Sequence, residues 1–547
     1  MLNISKKCRK GVRVLVKATD NQCFIYVLLL CIISQSCNID SINGQYKVLR
    51  YNQANNITSL DPAFAKSQNN MWAINQLYDG LVSLNDSLEI IPRIAKSWEF
   101  SEDRKQITFN LNNTYSFHDD ICFDGKSRLV TADDFVYSFN RIIDKETNSP
   151  GSWIFKGTVA EDDPFVAKND STFIINFQRP FLPIMGVLTM QYCSVVAQEA
   201  VEFYGNQFRA NPVGTGPYIF KIWKENQGLY LLKNPDYPNN PGDIDGIKVS
   251  FVPDKNIAYY ELLNNNLDLL SGIESSYASE LLDKEGNLLP KHTDVFTLNN
   301  APFLNTEYIG INMNLANASI MGNKNFRKAL NFAINKKELL AGLKNNIGEA
   351  ANSGFVPKGL PSFSPTKVKG YSFNLDSAMH YLKKSNYLNK SEVISVHTNN
   401  EYIDVITYVA KSWENIGIRV KIELMEPSIL RQGMRNESIA LFRASWIADY
   451  PDPESFLCMF YSKNPPPPNY TRFQNADFDR LYELALSETD ESKRYELYWA
   501  MDRILVEEAP VIFLYYDETA VFLRKRIKGY RSNALNMLDA RGIDIID

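Results

Sequence analysis

The residues that could carry out chemistry in this chain are few and scattered. The four histidines lie far apart, and none stands in an H-E-x-x-H arrangement or beside cysteines at zinc spacing. The G-x-S-x-G nucleophile elbow and the G-x-x-x-x-G-K-[ST] phosphate loop are both absent. The sequence therefore predicts no metal site, no cofactor and no enzyme. A glycosidase remains an alternative, because two carboxylates about 5 to 9.5 Å apart suffice and that distance cannot be read from sequence.

One acid has a distinctive setting. Asp449 lies in SWIADYPDPESF, residues 445–456, directly after an apolar run and ahead of two prolines, with Trp446 and Tyr450 beside it. A carboxylate in such a setting is expected to be partly desolvated, which is costly for a charge without a partner. Taken alone, the motif favours a structural role, in which Asp449 caps a turn before the proline-rich bend.

The first 37 residues differ from the rest of the chain. Six basic residues precede the apolar run CFIYVLLLCII, residues 23–33, which is followed by SQSCN. A basic segment, a short apolar core and small residues before a cut are typical of a secretory signal, and eleven apolar residues are too few to span a bilayer comfortably. The sequence predicts export, with cleavage before Cys37. An uncleaved membrane anchor is the alternative.

The composition of the remaining chain excludes one class of partner. Of 547 residues, 45% are hydrophobic and 22% charged, which indicates two or three globular lobes. Without residues 1–37 there are 52 basic against 62 acidic side chains, a net charge of −10. An acidic chain of this kind does not favour nucleic acid, which requires a basic face. Three cysteines remain, Cys122, Cys193 and Cys458, so at most one disulfide is possible.

Hydrophobic periodicity predicts an α/β protein. Alternating or β-branched apolar residues predict strands at 107–111, 172–177, 248–252 and 419–424. Apolar spacings of three and four predict helices within 131–143, 325–340, 374–387, 402–417 and 475–509. Thr131 with Asp134 three residues later is a candidate N-terminal capping box. Gly214 and Gly216 in NPVGTGPY precede a strand-like segment, so they predict a tight turn rather than a dinucleotide site.

Ordered motifs along the chain resemble one protein family. They are SLDPAFA (59–65), NQLYDGLV (75–82), IAKSWEFSEDRKQITFNLNNTYSFHDD (94–120), NPVGTGPYIFKIW (211–223), LKNPDYP (232–238), YIGINMN (308–314), NFRKALNFAINKKELL (325–340) and SWIADYPDPESFL (445–457). These segments are similar, in the same order, to those of bacterial extracellular solute-binding proteins of family 5, which include the oligopeptide- and dipeptide-binding proteins of ABC importers. The resemblance covers residues 45–545. Ser36 and Cys37 also resemble the lipobox of bacterial lipoproteins.

This resemblance implies a fold and a function. The fold would be the three-lobed, type II (cluster C) periplasmic-binding-protein fold, whose lobes close over a ligand. Residues 1–37 would be a lipoprotein signal peptide; lobe I would comprise 38–85, 206–298 and 512–547, lobe II 86–205 and lobe III 299–511. The chain would be a monomeric lipoprotein, anchored to a cell membrane and facing the periplasm or exterior, that captures short peptides for the transmembrane subunits of an ABC permease. A nickel chelate, haem or sugar as ligand, or a sensor without a permease, are the alternatives.

The resemblance also implies site residues. Asp449 matches the aspartate that takes the ammonium of a peptide's amino terminus in peptide-binding members. Ser445 and Trp446 would contact the peptide backbone, and Arg443 matches an arginine that can meet a ligand carboxylate. The remaining candidates in the cleft are Ser67, Gln68, Asn305 and Tyr308. Some oligopeptide binders carry bonded cysteines where Ile447 and Asn305 stand, so that staple is absent here.

Overall fold

The computed structural model describes residues 46–272, 275–387 and 392–546. The predicted signal peptide and the lipidation site at Cys37 lie outside these ranges. Within them, no helix combines the length and the apolar character that crossing a bilayer requires. Strands and helices both occur throughout, so the predicted α/β class is confirmed.

The largest sheet has eleven strands and runs through most of the protein. In spatial order it contains β15 (Arg419–Leu424), β14 (Val393–Thr398), β16 (Leu441–Ile447), β12 (Phe296–Ile311), β17 (Val511–Arg524), β11 (Leu269–Ser271), β1 (Val48–Asn52), β10 (Gly246–Ser250), β9 (Gly228–Lys233) and β8 (Tyr218–Lys224), with β13 (Glu349–Ala350) paired to β17. Strand β1 is parallel to β10, whereas β12 is antiparallel to both β16 and β17. The sheet is therefore mixed, with neighbouring strands that come from distant parts of the chain.

Two long strands connect the halves of this sheet. Strands β12 and β17 are 16 and 14 residues long and pair with each other, with a register shift between Pro302 and Thr306. The β12–β16 ladder begins at the pair Asn305–Ile447, and the Ala448 N–H then donates to the Leu304 carbonyl over 2.8 Å. The segment that carries Asp449 therefore leaves the sheet beside the irregular middle of β12. Two of the predicted lobe boundaries, 298/299 and 511/512, lie in these strands, and the division into lobes stays a prediction.

Three smaller sheets complete the strand content of the described residues. The four-stranded antiparallel sheet contains β4 (Ala95–Phe100), β5 (Gln106–Leu111), β7 (Thr172–Asn176) and β6 (Phe165–Asn169). The other two are the pairs β2 (Val82–Leu84) with β3 (Ile90–Pro92) and β18 (Ile527–Lys528) with β19 (Asp544–Ile545). The predicted strands at 107–111, 172–177 and 419–424 are thus confirmed, and the one at 248–252 begins two residues earlier.

Fifteen α-helices lie within the described ranges. They are α1 (Gln68–Leu77), α2 (Ala132–Ile143), α3 (Ile184–Val187), α4 (Gln198–Tyr204), α5 (Lys255–Leu263), α6 (Ser275–Leu281), α7 (Met313–Ala316), α8 (Lys324–Phe332), α9 (Lys336–Leu343), α10 (Leu375–Ser385), α11 (Ile403–Glu414), α12 (Pro427–Arg435), α13 (Glu454–Leu457), α14 (Ala476–Ala485) and α15 (Glu491–Glu508). The capping box of α2 is confirmed, since the Asp134 carboxylate accepts from the Thr131 N–H over 2.8 Å. The predicted helical segment 475–509 forms two helices, because Asp490 caps the start of α15.

The two glycines of NPVGTGPY pack against the end of α1. A β-carbon on Gly214 would lie 1.8 Å from the carbonyl oxygen of Leu77, and one on Gly216 would lie 2.5 Å from the carbon of that carbonyl. The Gly216 N–H donates to the same carbonyl over 2.9 Å. Neither glycine has a left-handed backbone conformation. The sequence-based explanation of these glycines, a tight turn, is therefore wrong. They are required because two backbones approach each other closely at this point.

Replacing one of these glycines is expected to destabilise the protein. Gly214→Ala should lower the free energy of unfolding by about 2 kcal/mol, because α1 must move away from the added methyl group. Gly342→Ala is the matched control: the site lies in α9, and no atom lies within 4 Å of the added β-carbon. The control should raise stability by up to about 1 kcal/mol. Urea denaturation measures both, and equal midpoints for the two variants would contradict the packing argument.

Candidate ligand-binding site

A cavity of about 660 Å³ is the candidate site. Its lining comes from α1, from the β2–β3 hairpin and Arg93, from residues 189–191, 237–240 and 447–449, from Phe303 in β12, and from residues 529–542. This volume is in the range of sites that enclose small organic ligands. The lining mixes amides, charged groups and three methionines, so it offers both polar contacts and adaptable apolar surface.

Asp449 lies in the wall of this cavity. Its N–H donates to the Ser455 hydroxyl over 3.1 Å, which fixes the backbone just beyond β16. The carboxylate is accessible from the cavity interior, yet protein surrounds the cavity closely enough that desolvation raises its pKa to about 6. Within the described ranges no side chain forms a salt bridge with this carboxylate, and no cation offsets the desolvation. The site has a carboxylate without a counter-ion.

This raised pKa predicts a pH-dependent cost to stability. The folded protein holds the Asp449 proton up to about pH 6 while the unfolded chain releases it near pH 4, so this group destabilises the fold as pH rises between those values. Asp449→Asn should therefore stabilise the ligand-free protein at pH 7. The gain should be about 1 kcal/mol, because solvent in the cavity screens much of the full effect. Thermal melts at pH 4 and pH 7 test this, since the gain should vanish at pH 4.

Trp446 and Ser445 lie just before Asp449, outside the cavity lining. The Trp446 indole is partly buried, and its Nε1–H donates to the Ser455 carbonyl over 2.6 Å. Ser445 pairs with Glu307 in the β12–β16 ladder. Ser455 thus holds both the indole and the Asp449 backbone. These contacts give Trp446 a role in positioning Asp449. The predicted contacts of Ser445 and Trp446 with a ligand backbone stay a prediction.

Arg443 is committed to an internal partner. Its guanidinium forms a buried salt bridge with Glu307 and stacks on the Tyr402 ring. The Asn305 amide donates to the same Glu307 carboxylate over 3.1 Å. Arg443 and Asn305 are both buried and do not line the cavity. Glu307 already neutralises Arg443, so these contacts do not support the predicted ligand role of Arg443.

The remaining predicted residues are divided between the cavity and the protein interior. Tyr308 is buried and packs edge-to-face on Phe355 in a hydrophobic core. The Ser67 hydroxyl caps α1 by accepting from the Asn70 N–H over 3.4 Å. Gln68 lines the cavity. Of the eight predicted ligand residues, Asp449 and Gln68 are therefore the two that the cavity brings together.

Two acids follow Asp449 closely without forming a metal centre. Asp452 pairs with Arg494 over 3.3 Å. Glu454 is buried and accepts from the hydroxyls of Tyr450 and Tyr482, while desolvation raises its pKa to about 7. No group of three or more His, Cys, Asp or Glu side chains in the described ranges could hold a metal ion. In the DYPDPE segment, Asp452 forms a salt bridge, Glu454 accepts hydrogen bonds from two tyrosines, and Asp449 lines the cavity.

A charged cluster in another part of the wall has no signal in the sequence. Asp79 is buried and accepts from the Tyr237 hydroxyl over 2.8 Å and from Arg541 over 3.3 Å. Arg541 also donates to Asp539 through both Nε and Nη2. Arg93 lies next to Asp79, with its Nε 3.7 Å from a carboxylate oxygen. Asp79 is 158 positions from Tyr237 and 462 from Arg541, so no spacing pattern could have indicated that they meet.

Comparison with known proteins identifies the family. The family model described as bacterial extracellular solute-binding proteins, family 5 Middle, matches residues 89–467, which is most of the chain. The chain therefore belongs to the bacterial extracellular solute-binding proteins of family 5. Members of this family are substrate-binding proteins of transport systems. This confirms the family that the motifs predicted. It also confirms the location outside the cytoplasm that membership of the family implied.

Individual relatives cover nearly the whole chain. The periplasmic murein peptide-binding protein MppA of Escherichia coli is 28% identical over 509 residues, covering 87% of this chain and 88% of the relative. Heme-binding protein A of Haemophilus influenzae is 26% identical over 485 residues, covering 83% and 84%. The structure of HbpA2 from Haemophilus parasuis has a TM-score of 0.80 at 24% identity, covering 91% of this chain and 100% of that one. DppA from Helicobacter pylori, in complex with the peptide STSA, has a TM-score of 0.75 at 23% identity, covering 93% and 100%. The predicted type II periplasmic-binding-protein fold is confirmed.

Proposed function

We propose that this protein captures short peptides with a free amino terminus and delivers them to the transmembrane subunits of an ABC importer. The observation that carries the proposal is the carboxylate of Asp449, which lines a cavity of about 660 Å³ and has no counter-ion among the residues that the structure describes. A peptide ammonium supplies the missing charge and donates hydrogen bonds. The protein performs no covalent step in this account. Relatives whose names state peptide binding support the proposal.

The lining suits a ligand whose side chains vary. The methionines Met71, Met190 and Met537 offer flexible apolar surface, and amides of asparagine and glutamine offer hydrogen bonds. A binder of many peptide sequences must draw its affinity from the parts that peptides share, which are the backbone and termini. Asp449 recognises such a shared part. As further parts of the proposal, Cys37 carries a lipid anchor and the protein acts as a monomer.

Haem is the second candidate ligand, because one relative of similar identity is named a heme-binding protein. None of the four histidines lines the described cavity. His118, for example, is buried elsewhere and contacts the Gly216 carbonyl over 3.0 Å. Haem binding in this cavity would therefore rely on a tyrosine or methionine as the iron ligand.

The experiment that tests the proposal uses protein refolded free of cargo. Native mass spectrometry would follow its binding to a pool of alanine-based peptides of two to six residues, to N-acetylated copies of the same peptides, and to haemin. Capture of the free-amine peptides with loss on acetylation is expected. Binding of haemin with no captured peptide would overturn the proposal. Equal capture of acetylated and free-amine peptides would show that Asp449 does not recognise the ammonium of the peptide.

A further inference from the structure

Glu454 is a second carboxylate, located behind the part of the cavity wall that carries Asp449. Its side chain is buried and does not line the cavity. One of its carboxylate oxygens accepts from the Tyr450 hydroxyl, and the other accepts from the Tyr482 hydroxyl. Within the described ranges no cation forms a salt bridge with it. The only partners that these contacts give the carboxylate are therefore neutral hydroxyl groups.

The turn between the two acids holds them close together. The Asp449 N–H donates to the hydroxyl of Ser455, the residue after Glu454, over 3.1 Å. Tyr450, the residue after Asp449, donates to the Glu454 carboxylate. A backbone contact and a side-chain contact thus both connect the two acids. Two carboxylates held in this way in desolvated surroundings resist being ionised together.

The protonation of Glu454 reflects this setting. Burial raises the pKa of Glu454 to about 7, and the negative charge of Asp449 contributes to the rise, whereas the two tyrosine hydroxyls lower the pKa. The titratable groups that interact with Glu454 in the described part of the chain are Tyr450, Tyr482, Asp452, Asp449, Cys458 and Tyr498. None of these groups is a cation, and Arg494 pairs with Asp452 instead. Glu454 therefore holds a proton in about half of the empty molecules at pH 7.

We infer that Glu454 is a specificity-determining residue, which strengthens the binding of a cation at Asp449 and loses its own proton to solvent when that cation binds. This inference rests on the proposed function and deepens it, because the ligand ammonium is then attracted by two carboxylates. Once the ammonium offsets the charge of Asp449, that charge no longer opposes the ionisation of Glu454. The ionised Glu454 in turn attracts the ammonium. A ligand without a positive charge gains nothing from Glu454.

Glu454→Gln tests the inference, because glutamine has the shape of a protonated glutamate but cannot ionise. Isothermal titration would measure the alanine peptide of the preferred length, with a free amino terminus, at pH 5, pH 7 and pH 8. The wild type and the variant should bind it equally at pH 5, where Glu454 is protonated. At pH 8 the wild type should bind it about tenfold more tightly. A purely structural role of Glu454 would instead give the same affinity ratio at every pH.

The released proton can be counted directly. Repeating the titration at pH 7 in two buffers with different ionisation enthalpies gives the number of protons lost on binding. The wild type should release about 0.4 proton more than Glu454→Gln. Glu483→Gln is the matched control, because Glu483 also accepts from a tyrosine, Tyr461, but is paired with Lys463. This control should match the wild type in both affinity and proton release.

Tyr482→Phe provides a second test that leaves Glu454 in place. Loss of one donor should raise the pKa of Glu454, so the rise in affinity that Glu454 causes should move to higher pH by about one unit. Thermal melts identify any variant that does not fold, and if Glu454→Gln does not fold, the pH profile of Tyr482→Phe decides.

Two results would overturn the inference while capture of free-amine peptides still stands. One is an affinity ratio between wild type and Glu454→Gln that stays constant from pH 5 to pH 8, with equal proton release by the two proteins. The other is a pH profile of Tyr482→Phe that coincides with that of the wild type. A failure of every free-amine peptide to bind would instead refute the proposed function.

Discussion

Asp449→Asn is expected to weaken the binding of a free-amine peptide more than 100-fold. The substitution keeps the shape of the side chain and its place in the cavity wall but removes the negative charge. A ligand ammonium then loses its ion pair in a desolvated site, which costs about 3 kcal/mol. Isothermal titration at pH 7 measures the affinity. Asp86→Asn is the matched control, because Asp86 lines the same cavity but already has Arg531 as its partner.

The pH dependence of binding should follow from the same carboxylate. In the free protein the pKa of Asp449 is about 6, so the carboxylate is protonated at lower pH and cannot pair with an ammonium. Affinity should therefore fall below pH 6, by about tenfold for each unit, and should fall again above about pH 8 as the peptide amine loses its proton. Asp449→Asn should remove the fall on the acid side. A wild-type affinity that is flat from pH 5 to pH 7 would contradict this account.

Arg443→Met is expected to cause the largest loss of stability. The substitution leaves Glu307 buried between strands with its charge uncompensated, and breaking a buried ion pair in this way costs about 3 to 5 kcal/mol of the free energy of unfolding. Replacing both partners, by Arg443→Met with Glu307→Gln, should recover most of that loss. Urea denaturation of the single and double variants provides the comparison.

This pair of variants also decides the role of Arg443. If its function is structural, the double variant should bind free-amine peptides as the wild type does. A stable Arg443→Met protein that loses affinity for peptide acids but not for amides would instead restore the ligand role that the sequence predicted. The stability and the affinity of the same two proteins therefore distinguish the alternatives.

Local elements could be predicted well because their signals lie within a few residues. The Thr131 capping box and the strand at 419–424 depend on neighbouring side chains, and both are present as predicted. The motifs likewise indicated the family and placed Asp449 in a ligand site, and the structure has that residue in the cavity wall. These conclusions required no knowledge of distant contacts.

Pairings between distant segments could not be predicted. Glu307 is 136 positions from Arg443, and nothing near either residue indicates that they meet in adjacent strands. The explanation of Gly214 failed for the same reason, since the atom that excludes a side chain belongs to Leu77. The charged groups near Arg93 are Asp79, which is close to it in sequence, and Asp539 and Arg541 near the other end of the chain. Sequence reasoning therefore found Asp449 but could not indicate how the cations of the cavity are paired.

The most direct test of the central claim is a thermodynamic cycle that combines one variant with one change to the ligand. Isothermal titration at pH 7 would measure a captured peptide and its N-acetylated copy against the wild type and Asp449→Asn. If Asp449 binds the ammonium, acetylation should cost the wild type more than 100-fold and cost the variant little, a coupling of about 2 to 3 kcal/mol. Equal losses on acetylation in both proteins would contradict the claim, because the amino terminus would then be recognised elsewhere.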